Sequence, residues 1–429
     1  MAPRKRVCLV TPGYISSTPR VVREADALTG AGFDVRVVFT QGQLDGVREF
    51  DDALVASKPW RASVVRWSSA RANERRAYYR SGIRHRVSGA LTSWGFTGTG
   101  IVERAEGRIY PELARLAAAE PADVFIGHYP TGLAAAAHSA KRHGAALGYD
   151  VEDLYADTFA DSAQWAPARA RIIEIERRYV PKCRHISAVS APVAEAFAAR
   201  HGTPLPVVVH NCHPWAERRD LDGRTLDRQG PELSLFWFSQ TVGLDRGIQD
   251  AIRAAGRLAG RVQVHLRGSV SDDVRRELLS LAAACGVGDA LHFHPRCAPA
   301  ELLSRAAEHD VGLSLETDDA LSRRLSATNK LFLYLTAGLA VAATDLPGQR
   351  SVLEASLEAG LLHRHGDVET LAAHFERWSQ NPEMLAQAKQ SALAAARLRW
   401  SAEVEGQRLA AAVSQLFGRA MPHRMASGE

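Results

Sequence analysis

The chain has 429 residues, of which 46% are hydrophobic and 24% are charged. These are the proportions of an ordinary folded protein, so a disordered or fibrous chain is excluded. At roughly 100–200 residues per domain, this length predicts two or three domains, and we expect two. The net charge is +5, and only six of the 53 basic residues are lysines. A global excess of arginine identifies no site, but a lysine inside a motif becomes noteworthy.

The five cysteines form no C-x-x-C pair and are odd in number. This pattern argues against a zinc ribbon and against the disulfide framework of a secreted protein. No stretch approaches the ~18 apolar residues that a membrane-spanning helix needs. The sequence therefore predicts a protein of the reducing cytoplasm.

Short β-branched segments alternate with helical segments through the first half of the chain. Strands are predicted at 6–11, 33–40, 122–128, 145–150, 185–190 and 206–211. Helices are predicted at 21–32, 130–144, 166–179 and 191–202. This alternation is typical of a parallel, doubly wound sheet, so a first Rossmann-like domain is predicted over residues 1–214.

The pattern stops at residues 215–232, a polar segment with Gly and Pro that is predicted to be a linker. Strands are then predicted at 233–239, 262–269, 291–296, 310–316 and 339–345, and helices at 247–258, 272–287, 299–309 and 329–338. A second Rossmann-like domain is predicted over 233–395, and a helix and tail at 396–429 are predicted to cross back to the first domain. Because ligands bind beyond the carboxyl ends of such strands, a site in a cleft between two facing domains is expected.

One stretch, residues 61–86, breaks the alternation. It holds eight arginines and a single acidic residue, Glu74. Aromatic residues lie within it or beside it, namely Trp60, Trp67, Tyr78, Tyr79, Trp94 and Phe96. One interpretation is a surface that contacts the inner membrane face or an anionic acceptor. The other is a solvated arginine-rich helix and loop. Nucleic-acid binding is not expected, because no nucleic-acid-binding motif accompanies the charge.

Neither a G-x-G-x-x-G after the first strand nor a G-x-x-x-x-G-K-[ST] motif is present, so a dinucleotide oxidoreductase and a P-loop phosphotransferase lose their main support. The segment FSQTVGLDRGI, at 238–248, instead places small and hydroxyl residues at a strand end before Arg246 and Gly247 open a helix. Backbone N–H groups at a helix start, beside a guanidinium, suit a diphosphate. The alternative is that these residues serve only the turn.

A second polar cluster lies between 314 and 349. Glu316 is at a predicted strand end, and Asn329 and Lys330 open a helix that Gly338 closes. A positive charge at a helix N-terminus is unfavourable unless an anion is bound, so Lys330 is a candidate phosphate ligand. Glu316 is a candidate acceptor of hydrogen bonds from sugar hydroxyls. The alternatives are a surface lysine and a solvated loop acid.

Three segments carry a family resemblance: FSQTVGLDRG, NKLFLYLTAGLAVAATDLPGQ, and HISAVSAPVAEAF followed by VVVHN. With the two-domain organisation, they resemble the GT-B-fold glycosyltransferases, in particular the retaining, nucleotide-sugar-dependent, family 4-like enzymes of bacteria. The resemblance covers nearly the whole chain. It implies that the first domain binds the acceptor and the second binds the nucleotide sugar, with a UDP-sugar favoured over a GDP-sugar. It also implies that neither a metal ion nor another cofactor is needed.

The resemblance, together with the positions of residues at predicted strand and helix ends, gives expected roles for individual residues. His128 and Glu316 are expected to be catalytic. The expected donor ligands are Gly13, Ser239, Gln240, Thr241, Gly243, Arg246, Gly247, Asn329 and Lys330. The expected acceptor ligands are Ser16, Ser17, Arg20, Asp150 and Asp153. The family often has two glutamates eight positions apart, where this chain has Leu325 and Leu333. Glu316 and Asn329 are expected to replace them.

The sequence thus predicts a glycosyltransferase of the hexosyltransferase type that moves a sugar from a nucleotide diphosphate to a hydroxyl acceptor. The acceptor is expected to be a surface glycan, a lipid-linked sugar or a secondary metabolite. Two alternatives remain open at this point. One is a nucleotide-sugar 2-epimerase of the same fold, and the other is a nucleotide-sugar-binding protein that has lost activity along with the two glutamates.

Overall fold

The structure is a computed structural model that describes residues 4–158, 163–225, 232–258, 260–356 and 358–418. These residues form two compact units. The first unit contains the described residues up to Val209 and those from Gly406 on, and the second extends from His210 to Glu405. Each unit is built on one parallel sheet covered by helices, so the predicted class of two Rossmann-like α/β units is confirmed.

The sheet of the first unit has seven strands in the order β3-β2-β1-β4-β5-β6-β7. The strands are β1 (Arg6–Val10), β2 (Asp34–Gln41), β3 (Arg61–Arg66), β4 (Val124–His128), β5 (Ala146–Val151), β6 (His185–Ala188) and β7 (Val207–Val208). The strand order reverses between β1 and β4. In sheets of this kind, ligands bind at such a reversal, beyond the carboxyl ends of the strands.

Helices connect these strands. They are α1 (Pro19–Gly30), α2 (Asp45–Ala56), α3 (Ala72–Ser93), α4 (Ile101–Glu106), α5 (Tyr110–Ala117), α6 (Tyr129–His143), α7 (Ala166–Tyr179) and α8 (Ala191–His201). Most of them follow the sequence-based prediction. The exceptions are α2 to α5, together with β3, which lie between β2 and β4, where no strand or helix was predicted.

The sheet of the second unit has six strands in the order β10-β9-β8-β11-β12-β13. The strands are β8 (Leu233–Thr241), β9 (Val262–Ser269), β10 (Leu291–His294), β11 (Val311–Ser314), β12 (Ala340–Thr344) and β13 (Gly360–His363). The helices are α9 (Ile248–Gly256), α10 (Asp272–Ala284), α11 (Leu302–Ala307), α12 (Leu321–Leu325), α13 (Asn329–Ala337), α14 (Pro347–Leu353), α15 (Val368–Gln380) and α16 (Pro382–Leu398). Here the reversal lies between β8 and β11.

The described part of the expected linker, residues 215–225 and 232, belongs to the second unit. It contains a 3-10 helix, Trp215–Asp220, and Arg218 donates a hydrogen bond of 2.6 Å to the carbonyl of Thr336. The last helix, α17 (Ala402–Gln415), belongs to the first unit from Gly406 on. Its Leu409 and Val413 join the hydrophobic core of that unit. None of the helices in the described ranges is long and apolar enough to span a membrane.

Candidate functional site

In the second unit, a buried carboxylate is held by two cations at the carboxyl end of β11. Glu316 follows that strand by two residues and is only 3% exposed. The Lys330 ammonium, from the first turn of α13, lies 2.7 Å from Glu316 Oε1. Arg246, which precedes α9, donates from Nη1 to Glu316 Oε2 at 3.1 Å. The structure therefore brings together three residues that the sequence nominated separately.

These cations fix the charge of the carboxylate. Burial opposes ionisation of Glu316, but Lys330 and then Arg246 lower its pKa to about 2. The cluster therefore carries two positive charges and one negative charge at neutral pH. A positive charge at the start of α13 is unfavourable, and the carboxylate of Glu316 is the anion that compensates for the charge of Lys330. The Lys330 and Arg246 side chains remain 13% and 34% exposed, so both can still reach a ligand from solvent.

The peptide of Glu316 is fixed from the neighbouring strand. The Thr344 hydroxyl donates to the Glu316 carbonyl at 2.8 Å, and the Gln349 amide donates to Thr344 Oγ1 at 2.7 Å. Gln349 in turn accepts a hydrogen bond from Ser314. Sequence reasoning quoted Thr344 and Gln349 within the segment TDLPGQ but gave them no role. We infer from their contacts that they position Glu316.

Gly247 allows the start of α9 to lie against β11. Its φ is +66°, and a Cβ atom there would lie 2.5 Å from the carbonyl oxygen of Leu315, next to Glu316. Only glycine combines this backbone conformation with so close an approach. The approach places Arg246 within reach of Glu316.

We therefore expect Gly247→Ala to lower the melting temperature of the protein much more than Gly286→Ala. Gly286 has a similar φ of +73°, but no atom lies within 4 Å of the Cβ position. Both variants bear the cost of left-handed backbone, about 1–2 kcal/mol, and only Gly247→Ala adds a backbone clash. Thermal unfolding of the two variants measures the difference. Equal melting temperatures would show that the close approach is not required.

The other expected donor residues of this unit lie at the same edge of the sheet. Ser239, Gln240 and Thr241 end β8, the strand that pairs with β11, and the last two are exposed. Gly243 follows them in the turn toward Arg246. Asn329 is the exposed first residue of α13. Leu333, where the family often has a glutamate, is fully buried in the apolar core and reaches no ligand. Leu325 ends α12 and is half-buried.

The first unit contains a buried ionic cluster around His128. His128 ends β4 and is fully buried. Its Nε2 lies 3.1 Å from Glu24 Oε2, and its Nδ1 lies 3.4 Å from Asp150 Oδ2. The Arg20 guanidinium donates to both oxygens of Asp150 at 2.5 and 2.6 Å and to the carbonyl of Val209 at 2.6 Å. The cluster joins α1, β4 and β5 at the carboxyl end of the sheet.

The carboxylates keep the imidazole of His128 charged. Burial opposes its protonation, but Glu24 and Asp150 together raise the pKa of His128 to about 10. Burial likewise opposes ionisation of Asp150, yet Arg20 holds the pKa of that carboxyl far below its usual range. Ligand atoms of Glu24, His128 and Asp150 lie within 4.8 Å of one another, as in a metal site. The Arg20 guanidinium already donates hydrogen bonds to both oxygens of Asp150. It therefore supplies the positive charge that a metal ion would supply at such a site.

Four of the residues that the sequence nominated contact other side chains of the protein, and their roles toward a ligand stay predictions. Arg20 and Asp150, expected to bind an acceptor, are 2% and 0% exposed and bind each other. Ser16, expected to do the same, donates through its hydroxyl to Asp51 at 2.6 Å. His128, expected to be catalytic, is fully buried and faces a carboxylate at each ring nitrogen.

The remaining expected residues of this unit lie in loops at the same edge. Gly13 is half-buried in the loop after β1, Ser17 is exposed just before α1, and Asp153 follows β5. Glu24 was missed by sequence reasoning. Its spacing of four residues from Arg20 on α1 was the available signal, because residues at that spacing are neighbours on a helix.

Solved structures resemble this chain over nearly its whole length, at low sequence identity. The HepE protein of Anabaena, solved with UDP and glucose, has a TM-score of 0.67 and 15% identity, covering 96% of this chain and 100% of that one. Sucrose-phosphate synthase from Thermosynechococcus elongatus has a TM-score of 0.65 and 14% identity, covering 97% and 100%.

A protein of Listeria monocytogenes described as a UDP-N-acetylglucosamine 2-epimerase has a TM-score of 0.58 and 13% identity, covering 97% of each chain. No protein-family model and no curated protein sequence matches the chain. At these identities the likeness shows the fold, which is that of the GT-B glycosyltransferases.

Proposed function

We propose that this chain is a glycosyltransferase that moves a sugar from a nucleotide diphosphate to a hydroxyl of an acceptor. The observation that carries the proposal is the Glu316 carboxylate with Lys330 and Arg246 bound to it at a sheet edge where nucleotides bind in this fold. The structural neighbours solved with UDP and with UDP and glucose support a nucleotide-sugar donor. UDP is therefore the favoured nucleotide.

The charges of the cluster suit a leaving diphosphate. In the transfer, the bond from the anomeric carbon to the diphosphate oxygen breaks, and the electron pair leaves with the diphosphate. The acceptor oxygen bonds to the same carbon, and its proton passes to an oxygen of the departing diphosphate. Lys330 and Arg246 are both partly exposed, so their positive charges can stabilise the negative charge that develops on the diphosphate. With two side-chain cations and the N–H groups at the start of α9 available, we propose that no metal ion is needed.

Glu316 has two tasks in this proposal. Its carboxylate holds the two cations in place, which spares them the cost of reorganising when the donor binds. Its burial and its low pKa make it an acceptor of hydrogen bonds only, which suits a sugar hydroxyl and not a proton donor. The proposal that transfer retains the configuration at the anomeric carbon rests on the motif resemblance. The stereochemistry of the product tests it directly.

Donor binding is tested by thermal unfolding in the presence of UDP, GDP, UDP-glucose and GDP-mannose, with and without EDTA. Binding at 100 times the dissociation constant stabilises the native state by about 2.7 kcal/mol. We expect UDP and UDP-glucose to raise the melting temperature, with no loss of the effect in EDTA. If none of the four compounds shifts the melting temperature, the nucleotide-sugar proposal is wrong.

One structural neighbour favours a second candidate, a nucleotide-sugar 2-epimerase. The acids and the histidine of the cluster Glu24, His128 and Asp150 are residue types that proton transfer at a sugar carbon needs. Incubation with UDP-N-acetylglucosamine, followed by NMR of the sugar, separates the two. A new epimer without an acceptor supports the epimerase, whereas glycosylation of an added acceptor supports the transferase.

All five cysteines are free thiols in the structure. This observation supports the cytoplasmic location that the sequence predicts, because a reducing compartment keeps thiols unpaired. We propose that the enzyme acts there.

A further inference from the structure

Helix α3, in the first unit, turns three of its large apolar side chains outward. The residues that it buries are all polar, namely Glu74, Ser81 and Ser88. Its outer face instead carries Tyr79, Ile83 and Val87, which are 56%, 64% and 54% exposed. A helix that packs on a protein core normally does the reverse. The outer face of α3 therefore has no stabilising partner within the described part of the chain.

The apolar surface continues past the end of the helix. Trp94 and Phe96 are 76% and 55% exposed, and they follow the last residue of α3 directly. Other aromatic residues of this region do pack inward. Trp67 stacks on Tyr78 at 6.0 Å, and the Arg108 guanidinium lies 4.8 and 4.1 Å from these two rings. Among the aromatic residues between positions 60 and 96, only Tyr79, Trp94 and Phe96 are thus exposed.

The eight arginines of residues 61–86 fall into two groups of four. Four are paired with carboxylates, namely Arg61, Arg66, Arg71 and Arg84. The other four, Arg75, Arg76, Arg80 and Arg86, are exposed and have no carboxylate partner among the described residues. On a helix of 3.6 residues per turn, Arg80 borders the apolar row on one side, and Arg75 and Arg86 border it on the other. Arg76 precedes the row along the helix.

We propose that the outer face of α3, with Trp94 and Phe96, binds the surface of an anionic lipid bilayer. An apolar row flanked by arginines is the pattern of a helix that lies in the plane of the membrane interface. The apolar side chains then enter the boundary between headgroups and acyl chains, and the arginines contact the anionic headgroups. A soluble anionic glycan is the alternative occupant of this face. It would bind the four arginines that have no carboxylate partner, but it would leave the apolar side chains of α3 in water.

Sedimentation of the full chain with vesicles tests this proposal and needs no sugar donor. The probes are vesicles of phosphatidylcholine alone and vesicles with an equal part of phosphatidylglycerol. We expect binding to the anionic vesicles, weaker binding to the neutral ones, and a decrease as salt is raised. Each arginine near an anionic surface contributes about a fivefold change in the partition coefficient, so Arg76→Gln with Arg80→Gln should lower it about 30-fold.

The apolar contribution is tested separately with Trp94→Ser and Phe96→Ser in one variant, which should lower partitioning at least about tenfold. Two matched controls lie in the same unit. Lys141→Gln with Arg142→Gln removes two exposed charges from α6, and Leu205→Ser removes a side chain that is 62% exposed. Both controls should partition as the unaltered protein does.

Three outcomes would overturn the proposal. The first is that the unaltered protein does not bind anionic vesicles. The second is that the α3 variants bind no more weakly than their controls. The third is that only the arginine variant loses binding while the Trp94 and Phe96 variant does not, which would point to an anionic glycan as the occupant. Because all substituted residues are exposed, circular dichroism is expected to show unchanged folding in every variant.

Discussion

Lys330→Gln is expected to reduce sugar transfer by at least about 100-fold while the protein remains folded. The substitution removes the cation that contributes most to ionising Glu316 and one of the two cations available to the diphosphate. A loss of this size is typical when one group that stabilises transition-state charge is removed. The rate of UDP release from UDP-glucose, with an acceptor present, measures the effect.

A matched control for this variant is Lys389→Gln. Lys389 lies in the same unit and binds Asp310 at 3.1 Å, so its replacement also removes a lysine from a carboxylate. It lies on α16, in a different ion pair from the Glu316 cluster. We expect near-normal transfer from Lys389→Gln. Transfer by Lys330→Gln at the level of this control would contradict the assignment of Lys330 to the diphosphate.

Loss of activity in Lys330→Gln also needs to be separated from loss of structure. Glu316 would keep Arg246 as its partner, so the carboxylate would not be left alone in the protein interior. We therefore expect only a moderate fall in melting temperature. A shift of the UDP-dependent stabilisation to higher UDP concentration, seen in the same thermal experiment, would locate the defect in donor binding.

The fold could be predicted wherever apolar residues face the core. The predicted strand 262–269 coincides with β9, and the predicted helix 329–338 differs from α13 by one residue. Prediction failed between β2 and β4. There α3 buries Glu74, Ser81 and Ser88 and exposes Tyr79, Ile83 and Val87. The apolar periodicity of this helix therefore marks its exposed face and not its buried face.

For the candidate site, the sequence predicted individual residues but not the contacts between them. Local signals nominated Arg246, Glu316 and Lys330 one by one, because each lies at a strand end or a helix start. Their pairing depends on how β8 and β11 lie side by side, and no local pattern reports the contact of Arg246 with a carboxylate 70 positions away. The burial of Arg20 could likewise not be predicted from the sequence, because an arginine next to a loop is normally exposed.

Arg20→Met is expected to destabilise the first unit by about 3–5 kcal/mol. Methionine fills much of the same volume, so the principal change is the loss of a buried positive charge. Asp150 and Glu24 would remain buried with only His128 to balance them. Hydrogen exchange at β5, read against urea concentration, measures the stability of this unit separately from that of the second.

The control for this variant is Arg61→Met, which breaks an ion pair with Glu120 in which both side chains are about half exposed. Solvent screens such a pair, so its loss should cost no more than about 1 kcal/mol. Combining Arg20→Met with Asp150→Asn should then recover part of the stability, since the double variant no longer contains the unpaired Asp150 carboxylate. If Arg20→Met costs no more than Arg61→Met, the cluster is not held together by charge. In that case His128 would owe its position to the packing of β4 rather than to its two carboxylate neighbours.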